Sequence, residues 1–255
     1  MRLAIFSDIH GNPYACQAVL HAIAREGAFD AILAAGDLCL GGSDPAGCVE
    51  QLMAAGVQAV YGNTEQYLRF PDQTPPDELH RSMWNVIQPA AYWTLARLSS
   101  EQLSWVFGLP FERRFSPTGR AGDDLILVHA NPKDVEMMIY PPETEQLRMW
   151  GKVRQPDEAA ELQQSLSGVE ARMIAFGHFH YMFQRLWREK TLACVACCSL
   201  PAIDHDRRAR FSIFEWVKTK WVICQQWVEY EAQQEIAALQ ACDMPFKDNF
   251  LRYFD

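Results

Sequence analysis

The chain opens with short apolar runs that alternate with longer segments of helical periodicity. Residues 3–6, 31–35 and 57–61 are nearly all apolar, are short enough for buried strands, and each run ends at a polar motif. Between them, residues 13–25 and 45–55 are typical of helices, and both segments begin with a proline. This order of strands and helices predicts a βαβαβ unit with a parallel sheet.

The middle and the end of the chain follow different patterns. Residues 67–108 have helical periodicity and are predicted to form a helical insertion within a single domain that spans residues 1–255. Residues 111–115 and 124–128 are predicted to form a hairpin, and residues 172–176 a further strand. Four alternating segments near the end are typical of a β-meander: 182–187, 191–197, 211–217 and 221–228. The predicted fold class is therefore α/β, a two-sheet sandwich with a helical cap, and the last dozen residues receive no assignment.

Seven side chains with oxygen or nitrogen donors follow these predicted strands. In chain order they are Asp8, His10, Asp37, Asn63, His129, His178 and His180. Because ligands of parallel sheets bind beyond the carboxyl ends of the strands, we expect these side chains to meet at one edge. These residues form five motifs: Asp8-x-His10, Gly36-Asp37, Gly62-Asn63, His129 and Gly177-His178-x-His180. Each motif alone is typical of an ordinary turn or helix cap. The presence of all five, each after an apolar run, indicates a functional site.

Such a set of donors can hold two divalent cations side by side, an arrangement common in phosphoester hydrolysis. Asp37 is the predicted bridging ligand, because a carboxylate has two oxygens. The other ligands divide into Asp8, His10 and His180 for the first metal, and Asn63, His129 and His178 for the second. Imidazole and carboxylate donors without a thiolate favour Mn²⁺, with Fe²⁺ and Zn²⁺ as the alternatives.

The expected reaction is in-line attack on phosphorus by a hydroxide that bridges the two metals. The predicted catalytic residues are the bridging Asp37 together with His129 and His178, which would lie near the developing charge. Arg69 and Lys133 follow metal motifs in the chain. The predicted substrate contacts are therefore Asn63, Arg69 and Lys133.

At these residues the chain resembles the calcineurin-like metallophosphoesterase superfamily. The pattern D-x-H, G-D, G-N, H and G-H-x-H occurs here in that order between residues 8 and 180. Neighbouring positions are similar as well, notably Gly11-Asn12 and His129-Ala130-Asn131-Pro132. The resemblance covers most of the chain. It implies an α/β/β/α sandwich of the calcineurin-like type, the metal roles given above, and a place in the small bacterial and archaeal phosphodiesterase branch.

Two departures from the family pattern bear on the chemistry. Many members have a histidine after the G-N pair that assists departure of the leaving group, whereas this chain has Thr64. A hydroxyl with its high pKa cannot act as a general acid near pH 7. Branch members without that histidine are associated with phosphodiesterase activity, and Glu65 is a candidate for ordering a water or donating a proton. The second departure is the segment Cys197-Cys198-Ser199-Leu200, where related proteins often have N-P-G-S.

Composition narrows the classes of partner and location. The formal net charge of −9 argues against a broad electrostatic grip on nucleic acid. No apolar run approaches the ~18 residues of a membrane span, and the N-terminus has no signal-peptide pattern, so we expect a cytoplasmic protein without a membrane partner. The eight cysteines are then expected to be reduced. The Cys194-x-x-Cys197 pair lacks the second pair that a structural zinc site needs.

The sequence thus predicts a metal-dependent phosphoesterase, first of all a phosphodiesterase acting on a small phosphoester for which a nucleotide is a candidate. A phosphomonoesterase or a protein phosphatase with the same site is the nearest alternative. A scaffold that kept the fold and lost catalysis, as the retromer subunit of this superfamily has, is a hypothesis from a different class. A nuclease is a third hypothesis, which the net acidity counts against. The sequence also leaves open whether the insertion forms a homodimer.

Overall fold

The structure, a computed structural model, describes residues 1–73 and 78–255. Its strands are β1 (Arg2–Phe6), β2 (Ala31–Ala34), β3 (Gln58–Ala59), β4 (Arg113–Phe115), β5 (Leu125–Leu127), β6 (Met173–Phe176), β7 (Phe183–Trp187), β8 (Lys190–Cys194), β9 (Ala209–Val217) and β10 (Lys220–Val228). Its helices are α1 (Pro13–Arg25), α2 (Pro45–Ala54), α3 (Asn63–Arg69), α4 (Glu78–Leu95), α5 (Ser100–Phe107), α6 (Glu143–Trp150), α7 (Ala160–Leu166), α8 (Ala232–Ala241) and α9 (Asp248–Leu251), with 3₁₀ turns at Ala121–Asp123 and Arg252–Phe254. The strands form two sheets, in the spatial orders β10-β9-β1-β2-β3 and β4-β5-β6-β8-β7.

The segment from β1 to β3 forms the predicted βαβαβ unit. β2 pairs in parallel with β1 on one side and with β3 on the other. α1 begins where Asn12 accepts a hydrogen bond from the Ala15 amide, with Pro13 at the first helical position. Asp44 caps α2 in the same way by accepting from the Gly47 amide. The parallel pairing brings the carboxyl ends of three strands to one edge of the sheet.

The two sheets pack face to face, and helices cover their outer faces. In β1, Leu3 and Ile5 belong to the apolar cluster between the sheets, where they join Leu125 and Leu127 of β5. The alternate residues Ala4 and Phe6 belong to the cluster under the helices of the first sheet. Strands that are buried on both faces need apolar residues at nearly every position. The predicted two-sheet α/β sandwich is confirmed.

The two hairpins near the end of the chain lie in different sheets, so the predicted β-meander is wrong. β7 and β8 pair antiparallel in the second sheet, where β8 also runs parallel to β6. β9 and β10 form a hairpin in the first sheet, and β9 pairs antiparallel with β1. Alternating hydrophobicity predicts strands but does not identify their partners. Residues 195–208 carry the chain from one sheet to the other.

Between β3 and β4 the described chain is helical, as the sequence predicts for the insertion. α3 already begins at Asn63, so the third motif lies in the first turn of a helix. α5 begins with a capping box, in which Ser99 and Gln102 exchange hydrogen bonds between side chain and backbone. The extent of the single domain, residues 1–255, stays a prediction. Among the helices that the structure describes, none has both the length and the apolar character needed to cross a bilayer.

Candidate metal centre

The seven predicted ligands converge at the carboxyl ends of the strands. Asp8 and His10 follow β1, Asp37 follows β2, and Asn63 follows β3, while the remaining histidines follow β5 and β6. Six of the side chains form two groups in which the donor atoms lie within 4.8 Å of one another: Asp8, His10 and His180 in the first, and Asp37, His129 and His178 in the second. The Asn63 Oδ1 atom lies 2.8 Å from His129 Nε2, which adds the amide to the second group.

Five of these residues have a left-handed backbone conformation, which is strained for every residue except glycine. Asp8, His10, Asp37, His178 and His180 have φ between 51° and 65°. Such residues persist only when the surrounding structure enforces them, and they concentrate at functional sites. The sharp turns point the side chains inward from the strand ends.

Glycines let the turns approach one another closely. A Cβ on Gly36 would lie 2.7 Å from the Gly62 nitrogen and 2.8 Å from His129 Nδ1. A Cβ on Gly177 would lie 2.0 Å from Ser7 Oγ. The glycine that precedes a ligand in these motifs is therefore a steric requirement of the site.

The Asp37 carboxylate lies between the two groups. Its Oδ2 atom is 3.5 Å from His10 Nε2, and its Oδ1 atom is 3.4 Å from His129 Nε2. Each oxygen thus faces a different group. This is the geometry that the predicted bridging role requires.

All four histidines have one ring nitrogen tied to a backbone carbonyl oxygen. The pairs are His10 Nδ1 with Leu40 (2.8 Å), His129 Nδ1 with Ala35 (2.7 Å), His178 Nε2 with Glu136 (2.9 Å) and His180 Nδ1 with Leu200 (2.6 Å). A carbonyl oxygen only accepts, so each of these nitrogens must donate its hydrogen. The second nitrogen of a neutral ring then presents a lone pair.

These lone pairs face each other in two pairs. His10 Nε2 lies 3.1 Å from His180 Nε2, and His129 Nε2 lies 3.2 Å from His178 Nδ1. The Asp8 Oδ1 atom lies 3.3 Å from the same His180 nitrogen. Facing lone pairs beside a carboxylate repel one another unless a cation lies among them. Histidine ligands of metals characteristically donate their other nitrogen to a carbonyl, so the residues present fit divalent cations.

The electrostatics of the side chains alone keep both carboxylates ionised. Burial acts to raise the pKa of Asp37, but the nearby His129 and His10 outweigh it, and the pKa lies below its usual value. For Asp8 burial is again opposed, chiefly by His180, and the pKa is lowered. Burial and the neighbouring His129 lower the pKa of His178 to about 4. Burial also lowers the pKa of His10. At His129 and His180, burial is outweighed by the charges of Asp37 and Asp8 respectively, so the pKa of these two imidazoles is raised. The buried carboxylates therefore favour positive charge among the donors.

The side chains of Thr64 and Glu65 form hydrogen bonds within the protein. The Thr64 amide and hydroxyl both donate to Asp37 Oδ1, at 3.0 and 2.9 Å. The buried Glu65 carboxylate accepts from the amides of Asp37, Leu38 and Gly62 at 2.8–2.9 Å. Burial raises the pKa of Glu65, as does the charge of Asp37. The expectation that Glu65 orders a water or donates a proton is wrong, because its oxygens are directed to the backbone of two motif loops.

Arg69 and Lys133 are not brought to the site. The Arg69 guanidinium donates to the Phe107 carbonyl and lies over the Tyr61 ring at 5.5 Å, which holds it against the end of α5. Lys133 is exposed. Neither residue lines the cavity beside the ligands, whereas Asn63 does. The substrate contacts of Arg69 and Lys133 stay predictions from the sequence.

A cavity of about 840 Å³ lies beside the two groups. Sequence reasoning identified its ligands but missed most of its walls, which include Met83, Ile87, Trp150, Arg154, His205, Arg252 and Tyr253. These residues come from the helical cap between β3 and β4, from α6 and the loop after it, from the connection between β8 and β9, and from the C-terminal segment. No local motif marks them, because they meet only through the packing of distant segments. Among the described residues, neither group of candidate ligands contains a cysteine, and Cys194 and Cys197 are buried thiols.

Two mixed sheets that present paired histidine and carboxylate groups at their strand ends are what the sequence resemblance implies. The family model of the calcineurin-like phosphoesterases matches residues 1–182, and the chain belongs to this family. An uncharacterized protein of Methanocaldococcus jannaschii is 29% identical over 138 residues, which are 54% of this chain and 53% of that protein. The match thus spans about half the length of this curated relative.

Solved structures share the fold over the whole chain. A metallophosphoesterase from Sphaerobacter thermophilus has a TM-score of 0.72 at 21% identity, covering 100% of this chain and 98% of that one. A hypothetical protein from Pyrococcus horikoshii OT3 has a TM-score of 0.76 at 16% identity, with 99% and 97% covered. At these identities the likeness shows the fold alone.

Proposed function

We propose that the protein is a binuclear metal-dependent phosphodiesterase that hydrolyses a small phosphoester. The observation that carries this proposal is the arrangement of the four histidines. Each is tied through one nitrogen to a backbone carbonyl, and the other nitrogens face each other in two pairs that the Asp37 carboxylate spans. Membership of the calcineurin-like phosphoesterase family supports the same reaction class.

The chain offers ligands for two cations. Asp8, His10 and His180 would hold the first, Asn63, His129 and His178 the second, and Asp37 would bind both. Two divalent cations held there would supply an activated water at neutral pH and would offset charge on the phosphate oxygens. We propose Mn²⁺ as the resident metal, with Fe²⁺ and Zn²⁺ as alternatives, because the donors are nitrogen and oxygen atoms.

The residues around the ligands fix their positions. The two hydrogen bonds from Thr64 hold Asp37 Oδ1 in place, and Glu65 ties the backbone of the Asp37 turn to that of the Gly62 turn. Position 64 has no imidazole to protonate a leaving group. Substrates whose leaving groups depart readily are therefore favoured. The preference for diesters that we propose follows from the resemblance to branch members without that histidine, which are associated with phosphodiesterase activity.

The test is hydrolysis of bis-p-nitrophenyl phosphate and of p-nitrophenyl phosphate by protein supplied with Mn²⁺. We expect turnover of both esters, with a higher kcat/KM for the diester, and loss of turnover with the chelator EDTA. Preference for the monoester would favour the phosphomonoesterase alternative. The absence of turnover with either ester in metal-loaded protein would contradict the proposal.

One observation favours a second candidate, a scaffold of the same fold that binds metal without catalysis. Thr64 stands where many family members have their leaving-group histidine, and its hydroxyl donates a hydrogen bond to Asp37 Oδ1. Metal-dependent turnover that disappears in Asp37→Asn would exclude this candidate. The cytoplasmic location stays a prediction from the sequence, which leaves open whether the insertion forms a homodimer.

A further inference from the structure

The cavity beside the ligands is larger than a phosphate group requires. Its volume of about 840 Å³ lies in the range of sites that enclose drug-sized ligands. The metal ligands form only part of its wall. The remaining wall must therefore contact other parts of the substrate.

Two positive charges lie in that wall. Among the described lining residues, the charged side chains besides Asp37 are Arg154 and Arg252. Both are exposed, and neither guanidinium has a hydrogen bond or an ion pair with any residue of 1–73 or 83–255. The chain as a whole carries a formal net charge of −9. Two unpaired arginines facing one cavity of an acidic protein indicate an anionic ligand.

Arg154 lies next to the turn that holds His178 and His180. Its guanidinium carbon is 4.5 Å from the centre of the Trp150 ring, which keeps the charge over a fixed surface. The Trp150 ring in turn contacts Phe179 edge to face, with the ring centres 6.1 Å apart. Phe179 stands between the two histidines in the chain. Arg154 is thus separated from these ligands by two aromatic rings.

Arg252 belongs to the C-terminal segment that packs against the loop carrying the carbonyl partner of His10. It directly follows α9, whose Phe250 is buried. A Cβ on Gly41 would lie 3.0 Å from the Phe250 ring and 3.7 Å from the Cβ of His10. The absence of a side chain at Gly41 therefore lets α9 approach His10. The segments that carry Arg154 and Arg252 therefore both pack beside the group formed by Asp8, His10 and His180, and both arginines line the same cavity.

Other wall residues are suited to a planar apolar group. Trp150 is half-buried and Tyr253 is 39% exposed, so both rings have free surface in or near the cavity. The cap adds Met83, Val86 and Ile87. Aromatic side chains of this kind stack on nucleobases without regard to sequence.

The geometry points to a second-anion subsite formed by Arg154 and Arg252, so that the preferred substrate is a phosphodiester whose nucleoside part carries a further phosphate. This inference rests on the proposed phosphodiesterase function. The reacting phosphate would lie at the metal ligands, and the further phosphate would accept hydrogen bonds from one or both guanidinium groups. Such charge-assisted bonds to phosphate are among the strong ones in proteins.

The experiment compares two esters that differ only in the second anion. They are thymidine 5′-(p-nitrophenyl phosphate) and the same ester with a 3′-phosphate, with bis-p-nitrophenyl phosphate as a probe that has neither nucleoside nor second anion. The variants are Arg154→Gln, Arg252→Gln and the double variant. Arg188→Gln is the matched control, because Arg188 is also exposed and lies over a tryptophan, Trp187, at 4.4 Å but does not line the cavity.

We expect kcat/KM to be at least about tenfold higher for the 3′-phosphorylated ester, mainly through a lower KM, since a charge-assisted hydrogen bond is worth about a factor of ten or more. The double variant should lose this preference while its kcat/KM for bis-p-nitrophenyl phosphate stays within about threefold of that of the unmodified protein. Arg188→Gln should keep the preference. Equal kcat/KM for the two nucleoside esters, or a preference retained in the double variant, would overturn the inference.

A binding measurement separates this inference from the proposed function. Calorimetry with thymidine 3′,5′-bisphosphate and thymidine 5′-monophosphate needs no turnover. Tighter binding of the bisphosphate by the unmodified protein but not by the double variant would support the subsite even if no ester were hydrolysed. Equal affinities for the two nucleotides would overturn it, whereas hydrolysis of bis-p-nitrophenyl phosphate would still support the proposed function.

Discussion

The candidate metal ligands form the floor of the cavity, and the floor and the walls are built in different ways. The floor consists of Asp8, His10, Asp37, Asn63, His129, His178 and His180, which follow the ends of strands. Left-handed turns and backbone hydrogen bonds to Glu65 hold these residues in place. The walls come from the cap, from α6 and the loop after it, from the connection between β8 and β9, and from the C-terminal segment. They include exposed side chains such as Met83 and Tyr253. The floor therefore defines the class of reaction, and the walls define which molecule reacts.

This difference gives distinct expectations for substitutions. The floor side chains Asp8, Asp37 and His129 are buried and share hydrogen bonds with several motif loops. Changing the floor should reduce metal binding and turnover of every substrate. Changing the walls should alter KM for some substrates and leave metal binding intact.

The largest effect is expected for Asp37→Asn. The substitution keeps the shape of the side chain but removes the charge that faces both ligand groups. We expect kcat/KM to fall by about three orders of magnitude, with reduced metal content. Even the loss of a residue that only hydrogen-bonds to a metal ligand typically lowers metal affinity or activity about 10–100-fold. The measurement is hydrolysis of bis-p-nitrophenyl phosphate with metal analysis, and the exposed Asp255→Asn is the control. Full activity restored by added Mn²⁺ would contradict a bridging role.

The next effect is a loss of stability in Glu65→Ala. This substitution leaves the amides of Asp37, Leu38 and Gly62 buried without their acceptor. At about 1–3 kcal/mol for each buried unsatisfied group, we expect the free energy of unfolding to fall by about 4 kcal/mol. Urea unfolding measures the change, and the exposed Glu158→Ala is the control. An unfolding midpoint like that of the unmodified protein would show that Glu65 does not brace the floor.

A smaller effect is a change of stability with pH that depends on the contact between Glu235 and the loop at Ser43. Glu235 accepts hydrogen bonds from the amide and hydroxyl of Ser43, and burial, with a contribution from Asp44, raises its pKa to about 7. Because the pKa of Glu235 is higher in the folded protein than its value of 4.5 in the unfolded chain, protonation of this carboxyl stabilises the fold. This contribution to the free energy of unfolding is fully present below pH 4.5 and is lost as the pH rises through about 7. Glu235→Gln does not ionise, so it should escape this loss.

The pH prediction is checked by urea unfolding of both proteins at pH 5, 6, 7 and 8. The free energy of unfolding of Glu235→Gln relative to the unmodified protein should increase with pH, by an amount on the order of 3 kcal/mol across the range. Glu231→Gln, at an exposed position beside α8, is the matched control. A difference that stays constant with pH would mean that Glu235 is ionised throughout.

The smallest effect is expected in the walls. Met83 is 52% exposed and lies at the cavity rather than in the core, so Met83→Ala should leave stability and metal content unchanged. We expect KM for p-nitrophenyl esters to rise about two- to fivefold, because a partly exposed apolar contact is worth about 1 kcal/mol or less. Leu186→Ala, at a 72% exposed position outside the cavity, is the control. A loss of metal in Met83→Ala would remove the distinction between floor and walls.

The floor is predictable from the sequence because its residues come shortly after predicted strands in the chain. Asp8 and Asp37 directly follow apolar runs, and the parallel pairing of β1 with β2 brings such ends together whatever the rest of the fold does. The walls are not predictable in this way. Arg252 reaches the cavity only because α9 packs against Gly41, a contact between residues about 200 positions apart that no periodicity encodes.

The wrong predictions for Glu65 and for the terminal β-meander have the same origin. Glu65 and Arg69 follow a metal motif, but their side chains turn to the backbone of neighbouring loops and to the end of α5. Position in the chain next to a ligand does not determine where a long side chain points. The terminal hairpins illustrate this for strands, since β8 and β9 are consecutive in the chain and lie in different sheets.

The most direct test of the central claim is metal stoichiometry, measured by elemental analysis of protein dialysed after loading with Mn²⁺. The account predicts about two metal ions per chain, and about one after His178→Ala, because this substitution removes a ligand from one group only. His205→Ala, which changes a histidine that lines the cavity without belonging to either group, should still bind about two. A stoichiometry of one or none in the unmodified protein would contradict the binuclear centre.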